Sequence, residues 1–374
     1  MRHFFTSLCA LAALATSAVA SAIPLEPRAL PTFGQRAIYY PASNYRTPKV
    51  LYSRSVKLND GSLLATWENY SPDNGPKVYF PIYKSTDSGS SWTALSNVTD
   101  TVNNWGLRYQ PFLYVLPKAW AGFAAGTVIL AGNSIPSDLS KTRIDLYAST
   151  NGGVSWKFII NVVAGGAADT TNGQTPVWEP FLLLSNGALV VYYSDQGDTK
   201  YAQKLCHKTS TDGKTWSAVV NDETSAVYTD RPGMTTIAAL PNGKYIMTYE
   251  FGSGNPYSFP VYYKIASDPT KFASVVGQPL VATDGTVPIS SPYVAWSAFG
   301  GANGTIIVSA GSTSPILLNT KLGDPKAWTT RSVPIGNGYS REVKALDNVG
   351  SVQILGAGPL GGNNYVSNAI INLP

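Results

Sequence analysis

Cysteine, histidine and charge are what this chain has least of: two cysteines, two histidines and 13% charged residues among 374. Cys9 falls in an N-terminal apolar run, which leaves Cys206 without a partner once that run is removed. A processed chain of this kind holds no internal disulfide and must rely on core burial, which its length can supply. His207 is then the one histidine left, so histidine-based triads and histidine-rich metal centres are excluded and no cofactor or metal is called for. Its place beside Cys206 in an alternating segment reads as a half-buried structural residue. Basic residues are scattered over a formal net charge of +5, which argues against a nucleic acid partner. Beyond the first residues no apolar stretch approaches the roughly 20 needed to cross a membrane, and helix signals are scarce.

Glycine (34), proline (26), tyrosine (22) and tryptophan (9) are plentiful, the profile of a strand-and-turn protein presenting aromatic surface. Met1-Arg2-His3, the apolar residues from Phe4 to Val19 and small residues at Ala18, Ala20 and Ala22 read as a signal peptide over residues 1–22, with further trimming to Arg28. A secreted, extracellular, monomeric protein is the expectation. Asn69, Asn97 and Asn303 each open an Asn-X-Ser/Thr sequon and are candidate glycosylation sites.

The string Ser85-Thr86-Asp87-Ser88-Gly89-Ser90-Ser91-Trp92 returns in worn copies, with the acid or its asparagine at 87, 151, 212, 268 and 324. A period of roughly sixty residues marks a repeat architecture. The string itself is a turn: Asp or Asn bonds the backbone two residues on, glycine supplies positive φ, and tryptophan folds back as a lid. A second repeat starts at Gly61, Gly126, Gly187, Gly243, Gly304 and Gly350, each a hairpin turn leading an alternating strand. Six turns imply an all-β, six-bladed propeller over residues 33–374. Its last blade lacks an outer strand, and the leftover segment from Gln35 to Tyr40 is expected to supply it and close the ring.

An apolar strand precedes each turn, led by Pro48, Pro111, Pro180, Pro232 and Pro292, with Glu342 in the last unit. Residues just before these positions should ring one mouth of the channel: Arg46 with Thr47, Gln110, Glu179, Arg231, Ser291 and Arg341. Seven residues after each turn glycine the returning strand brings Glu68, Asn133, Ser194, Glu250, Gly311 and Ala357 to the same mouth. Glu179 and Glu250 are acids embedded in apolar sequence, which implies a partner or a task. Two carboxylates facing a sugar-sized cleft are what glycosidic cleavage requires, one protonated and one ionised. On adjacency, Arg231 would hold Glu250 ionised while Trp178 keeps Glu179 protonated. Aromatic residues crowd the same loops; Trp105 is expected to be exposed and Tyr339 to stand at the rim.

Tyr45-Arg46-Thr47-Pro48, the stretch from Asp60 to Glu68 and the Asp turns resemble the sialidase superfamily of propellers. Through Trp178-Glu179-Pro180, Asp230-Arg231-Pro232-Gly233-Met234 and Tyr249-Glu250, residues 34 to 374 look most like the fungal exo-α-1,5-L-arabinanases of glycoside hydrolase family 93. The resemblance implies a retaining enzyme releasing arabinobiose from linear arabinan, with Glu179 as acid/base, Glu250 as nucleophile and Tyr339 assisting. Arg46, Glu68, Trp105, Gln110, Trp178, Arg231, Ser291 and Arg341 are the candidate substrate-binding residues. Two other readings stay open. An exo-sialidase would clamp a carboxylate with Arg46, Arg231 and Arg341, and a lectin would bind sugar without cleaving it.

Overall fold

The computed structural model describes residues 29–72, 77–254 and 258–374. The expected signal segment, Cys9 and Arg28 lie outside them. Six four-stranded antiparallel sheets make six blades. The one helical element among the described residues is a single 3-10 turn, Phe272–Ser274. No helix among the described residues is long and apolar enough to cross a membrane. The innermost strands are Val50–Lys57, Leu107–Val115, Val177–Ser185, Arg231–Ala239, Tyr293–Ser297 and Glu342–Ala345. The sixth blade is closed as expected: Phe33–Tyr39 pairs antiparallel with Val366–Asn372 and becomes its outer strand.

The Asp turns join the third and outer strands at the end opposite the mouth. In the first, Asp87 Oδ1 accepts the Ser91 N–H at 2.9 Å, Ser85 Oγ accepts the Gly89 N–H at 2.8 Å, and Trp92 Nε1 donates to the Gly89 carbonyl. The second turn repeats this pattern with Asn151, Ser149 and Trp156. Each turn glycine also lies against the preceding blade. A β-carbon on Gly153 (φ +90°) would meet Leu64 at 2.8 Å, and one on Gly213 would meet Ala121 at 3.0 Å. Positive φ and close approach together require glycine there, so the turns fasten neighbouring blades.

A second regularity lies at the mouth. Tyr52, Gln110, Glu179, Met234, Ser291 and Ser340 all have left-handed φ, between +40° and +60°. In the first four blades this residue sits in a bulge of the innermost strand, between the pairs Leu51/Arg54, Tyr109/Phe112, Trp178/Phe181 and Gly233/Thr236. Pro111 and Pro180 follow it directly at the bulge, and Pro292 follows Ser291 just ahead of the fifth inner strand, positions where the missing N–H costs no ladder bond.

These six residues correct the expected frame of the inner strands. Gln110, Glu179 and Ser291 hold the expected place. In the first, fourth and last blades the place belongs to Tyr52, Met234 and Ser340 instead of Arg46, Arg231 and Arg341. Pro48 and Pro232 lie upstream of the bulge, and the last blade has no proline at it.

Candidate active site

Backbone geometry at the left-handed positions sets up the site. Five of the six left-handed residues turn their N–H toward a side-chain oxygen of the preceding blade. Gln110 N–H donates to Glu68 Oε1 at 2.9 Å, Glu179 N–H to Gln110 Oε1 at 3.0 Å and Met234 N–H to Glu179 Oε2 at 2.8 Å. Ser291 N–H donates to Glu250 Oε2 at 2.6 Å, and Ser340 N–H to Ser291 Oγ at 3.0 Å. Three carboxylates are thereby held by amides that the fold itself supplies.

The cleft above this crown has a volume of about 470 Å3, ample for a small sugar chain. Glu68, Glu179 and Glu250 line it together with Gln110, Arg231, Trp178, Tyr70, Tyr109 and Tyr339. Gly233, which precedes the bulge of the fourth blade, leaves room for Gln203, whose Nε2 lies 2.8 Å from where a β-carbon would stand, with Glu250 Oε1 beyond it at 3.4 Å. Loops at the mouth add Ala168 and Thr170, between the second and third blades, and Phe259 and Leu360, within the fourth and sixth, to the walls. None of these four was foreseen from the sequence, because loop conformation leaves no period to read.

Burial dominates the electrostatics. It pushes Glu68 and Glu250 up to about 7, in Glu250 with the Glu179 charge adding to the effect. Glu179 is raised by the same desolvation, opposed by hydrogen bonds from Ser194 Oγ (2.6 Å) and Met234 N–H and by the charges of Arg231 and Arg54. Arg231 favours ionisation of Glu179 and Glu250 alike, so it does not single out Glu250 as adjacency had suggested. Mutual repulsion disfavours both acids being ionised at once, which is the condition for an acid and a nucleophile to coexist. The described hydrogen bonds to Glu179 and to Glu250 fall on Oε2. Tyr339 stays a neutral phenol, pushed up by burial and then by the charges of Glu179 and Glu250.

Arg231 also organises the wall. Its guanidinium donates to Asn172, Gln196 and Gln203, and Gln196 in turn accepts the Trp178 indole N–H at 2.9 Å. Arg54 is a buried cation that the sequence reading passed over. It lies over Tyr52 and Tyr293 and donates to the Ser340 carbonyl at 2.8 Å. Alternation could not have placed it, because the bulge between Leu51 and Arg54 breaks the two-residue period of the strand.

Other expected positions differ. Arg341 is fully buried between blades, donating to the carbonyls of Ser314, Ile335 and Gly336, and burial lowers it to about 10. Arg46 is exposed on the loop before the first blade and is not a lining residue. Trp105 is half-buried rather than exposed, beneath Lys141 and Arg143 and away from the cleft. Ser291 is buried and reaches the site only through its N–H on Glu250. Asn69 is 3% exposed, which leaves no room for a glycan, whereas Asn97 is exposed and Asn303 half-buried. His207 is buried more deeply than expected, with Nδ1 2.9 Å from Asp222 Oδ2. Cys206 is a buried free thiol.

A six-bladed propeller whose axial cleft gathers buried carboxylates and aromatic rings belongs among the sugar-cleaving propellers. Comparison with solved structures narrows this. The chain is 49% identical to the GH93 α-L-arabinofuranosidase of Fusarium graminearum, solved with arabinobiose, with a TM-score of 0.89 over 91% of this chain and 98% of that one. It is 49% identical to the α-L-arabinanase of Penicillium chrysogenum, also solved with arabinobiose, with a TM-score of 0.90 and the same coverage. The NanB sialidase of Streptococcus pneumoniae shares the fold alone, at 11% identity and a TM-score of 0.58 over 94% of this chain and 71% of that one. No family model and no curated protein compared with the chain gives a match. The chain belongs to glycoside hydrolase family 93.

Proposed function

We propose that this protein is a secreted, monomeric, retaining glycoside hydrolase that releases arabinobiose from the non-reducing end of linear α-1,5-L-arabinan. The observation that carries the reading is the pair Glu179 and Glu250. They come from adjacent blades, face one cleft and are each held through Oε2 by an amide of the following blade. The arabinobiose in the two related structures supports the choice of sugar.

In this mechanism a Glu250 carboxylate oxygen attacks the anomeric carbon while the bond to the departing sugar oxygen breaks and Glu179 gives that oxygen its proton. Water then attacks the glycosyl-enzyme, Glu179 takes the proton of the water, and Glu250 is released as carboxylate. Tyr339, neutral and between the two acids, donates a hydrogen bond near the reacting centre. Trp178, Tyr70 and Tyr109 offer faces for sugar rings, and Glu68, Gln110 and Arg231 offer polar contacts. Exo action is supported by the 166–176 segment, which contributes Ala168 and Thr170 to the wall and is tied back by Asn172 to Arg231. The exo-sialidase reading is disfavoured, because of its three arginines only Arg231 lines the cleft.

Glu179→Gln and Glu250→Gln are expected to fold and to lose hydrolysis of linear arabinan by about a thousandfold or more, with Glu68→Gln milder. Near-wild-type rates in either of the first two would remove that residue from the mechanism. Arabinobiose as the first product, with its anomeric configuration retained by NMR, is the expected outcome; released sialic acid, or binding without turnover, would overturn the reading. Recovery from culture medium with an N-terminus between residues 20 and 29 tests secretion.

A further inference from the structure

On the same face as the cleft, at the outer edge of the sixth blade, an exposed tyrosine stacks on a half-buried one. Tyr40 follows the closing strand and is 70% exposed, with its ring stacked on Tyr365 at 5.0 Å between centroids and 26° between planes. Both lie at the mouth end, since Tyr39 pairs with Val366. Exposed aromatic surface of this kind on a soluble scaffold marks an interaction site.

Three observations point to what lies on it. The stack is continuous with the cleft: the 357–365 segment carries Leu360, 63% exposed and a lining residue, and ends at Tyr365. Five residues separate the two, at most about 17 Å, within reach of a chain a few sugars long. The segment is also held firmly. Asn364 donates to the carbonyls of Val50 and Pro359, and Gly358 accepts from Tyr339 N–H. Behind the stack the rings are uncharged: Tyr39 stacks on Trp67 and contacts Tyr83, and the Tyr39 hydroxyl donates to that of Tyr45. A rigid, neutral tyrosine surface costs little entropy to use and suits a neutral polysaccharide, not an anionic one.

We infer that the Tyr40–Tyr365 stack is a docking platform for the polymeric substrate, gripping the neutral arabinan chain beyond the sugars held in the cleft. The inference rests on the proposed activity. It makes the platform matter for long chains and not for short ones.

The test compares wild type with Tyr40→Ala, Tyr365→Ala and the conservative Tyr40→Trp, on linear arabinan and on arabinotriose. Each alanine variant should raise KM for the polymer about three- to tenfold with kcat unchanged, leave kcat/KM for arabinotriose within twofold, and weaken retardation in native gels containing arabinan. Tyr40→Trp should match wild type. Unchanged polymer KM and gel mobility in both alanine variants, while wild type cleaves arabinan, overturns the platform alone. Equal loss on trimer and polymer shows an effect on the cleft and also overturns it. A shift in oligomeric state on gel filtration assigns the patch to a second copy of the chain. Wild type inactive on both substrates overturns the underlying activity and the platform with it.

Discussion

Ser194→Ala removes the 2.6 Å hydrogen bond from Ser194 Oγ to Glu179 Oε2 and the longer 3.3 Å one that the same Oγ accepts from Met234 N–H, with little change of volume. A buried hydrogen bond to a charged group is worth roughly 1.5–3 kcal/mol. Met234 N–H remains on the same oxygen at 2.8 Å, so the lower end of that range applies. At about 1.4 kcal/mol per pK unit, losing a donor that favours the ionised form raises Glu179 by about one unit. If Glu179 is the acid, it works protonated, and the basic limb of the kcat/KM profile reports its loss of that proton. The assay is therefore kcat/KM for a short arabinan oligosaccharide from pH 4 to 9, with Glu68→Gln as a control because the three carboxylates titrate as a coupled set. The expected result is a basic limb moved up by about one unit and an acid limb in place. Movement of the acid limb alone would make Glu179 the nucleophile and reverse the assignment. No movement of either limb would refute the reasoning that Ser194 holds the ionised form.

Stability should respond to the same burial. Glu250 is raised to about 7 from an ordinary 4.5, so between those values the folded state holds a proton that the unfolded state has released, and stability falls as pH rises. Glu250→Gln should then melt above wild type at pH 8, by at most about 3 kcal/mol or roughly 4 °C, and together with it near pH 4. Gly153→Ala adds left-handed strain and a 2.8 Å approach to Leu64, about 2–4 kcal/mol in all, whereas at Gly152 the nearest atom is 3.7 Å away and only the strain of about 1–2 kcal/mol applies. Urea unfolding of the two variants measures the difference, and equal losses would mean that the turn does not fasten the blades. In a fungal expression host Asn97→Gln should lower the protein mass by one glycan, and Asn69→Gln should leave the number of glycans unchanged, both read by mass spectrometry.

Most of the fold was legible because it repeats. The hairpin glycines and Asp turns set a register good enough to bring Glu68, Ser194 and Glu250 into equivalent places on the returning strands and to pair Phe33–Tyr39 with the last blade. Counting from a hairpin works because two antiparallel residues beyond a tight turn stay in step. The inner strands were harder. Proline follows the left-handed residue in three blades, but such a residue stands at the mouth in all six and makes a bulge in the first four. Where proline stood upstream, as at Pro48, or was missing, as before Glu342, the frame slipped, displacing Arg46 and Arg341 from the mouth. Arg231 reached the cleft all the same, by a long side chain rather than by position. The loop walls at Thr170, Phe259 and Leu360 follow no period and could be found only in three dimensions.

The crown of left-handed residues has a bearing on how this site can change over generations. The groups that orient Glu68, Glu179 and Glu250 include the N–H groups of Gln110, Met234 and Ser291, and almost any substitution at those positions delivers the same N–H. A side-chain donor can be lost by one base change; a peptide donor is lost only to proline. Of the three holding side chains, that of Met234 is therefore the one free to drift toward new sugars while the acids keep their aim, since those of Gln110 and Ser291 accept N–H groups of the next blade. A ring of this design can exchange its specificity without first dismantling its chemistry.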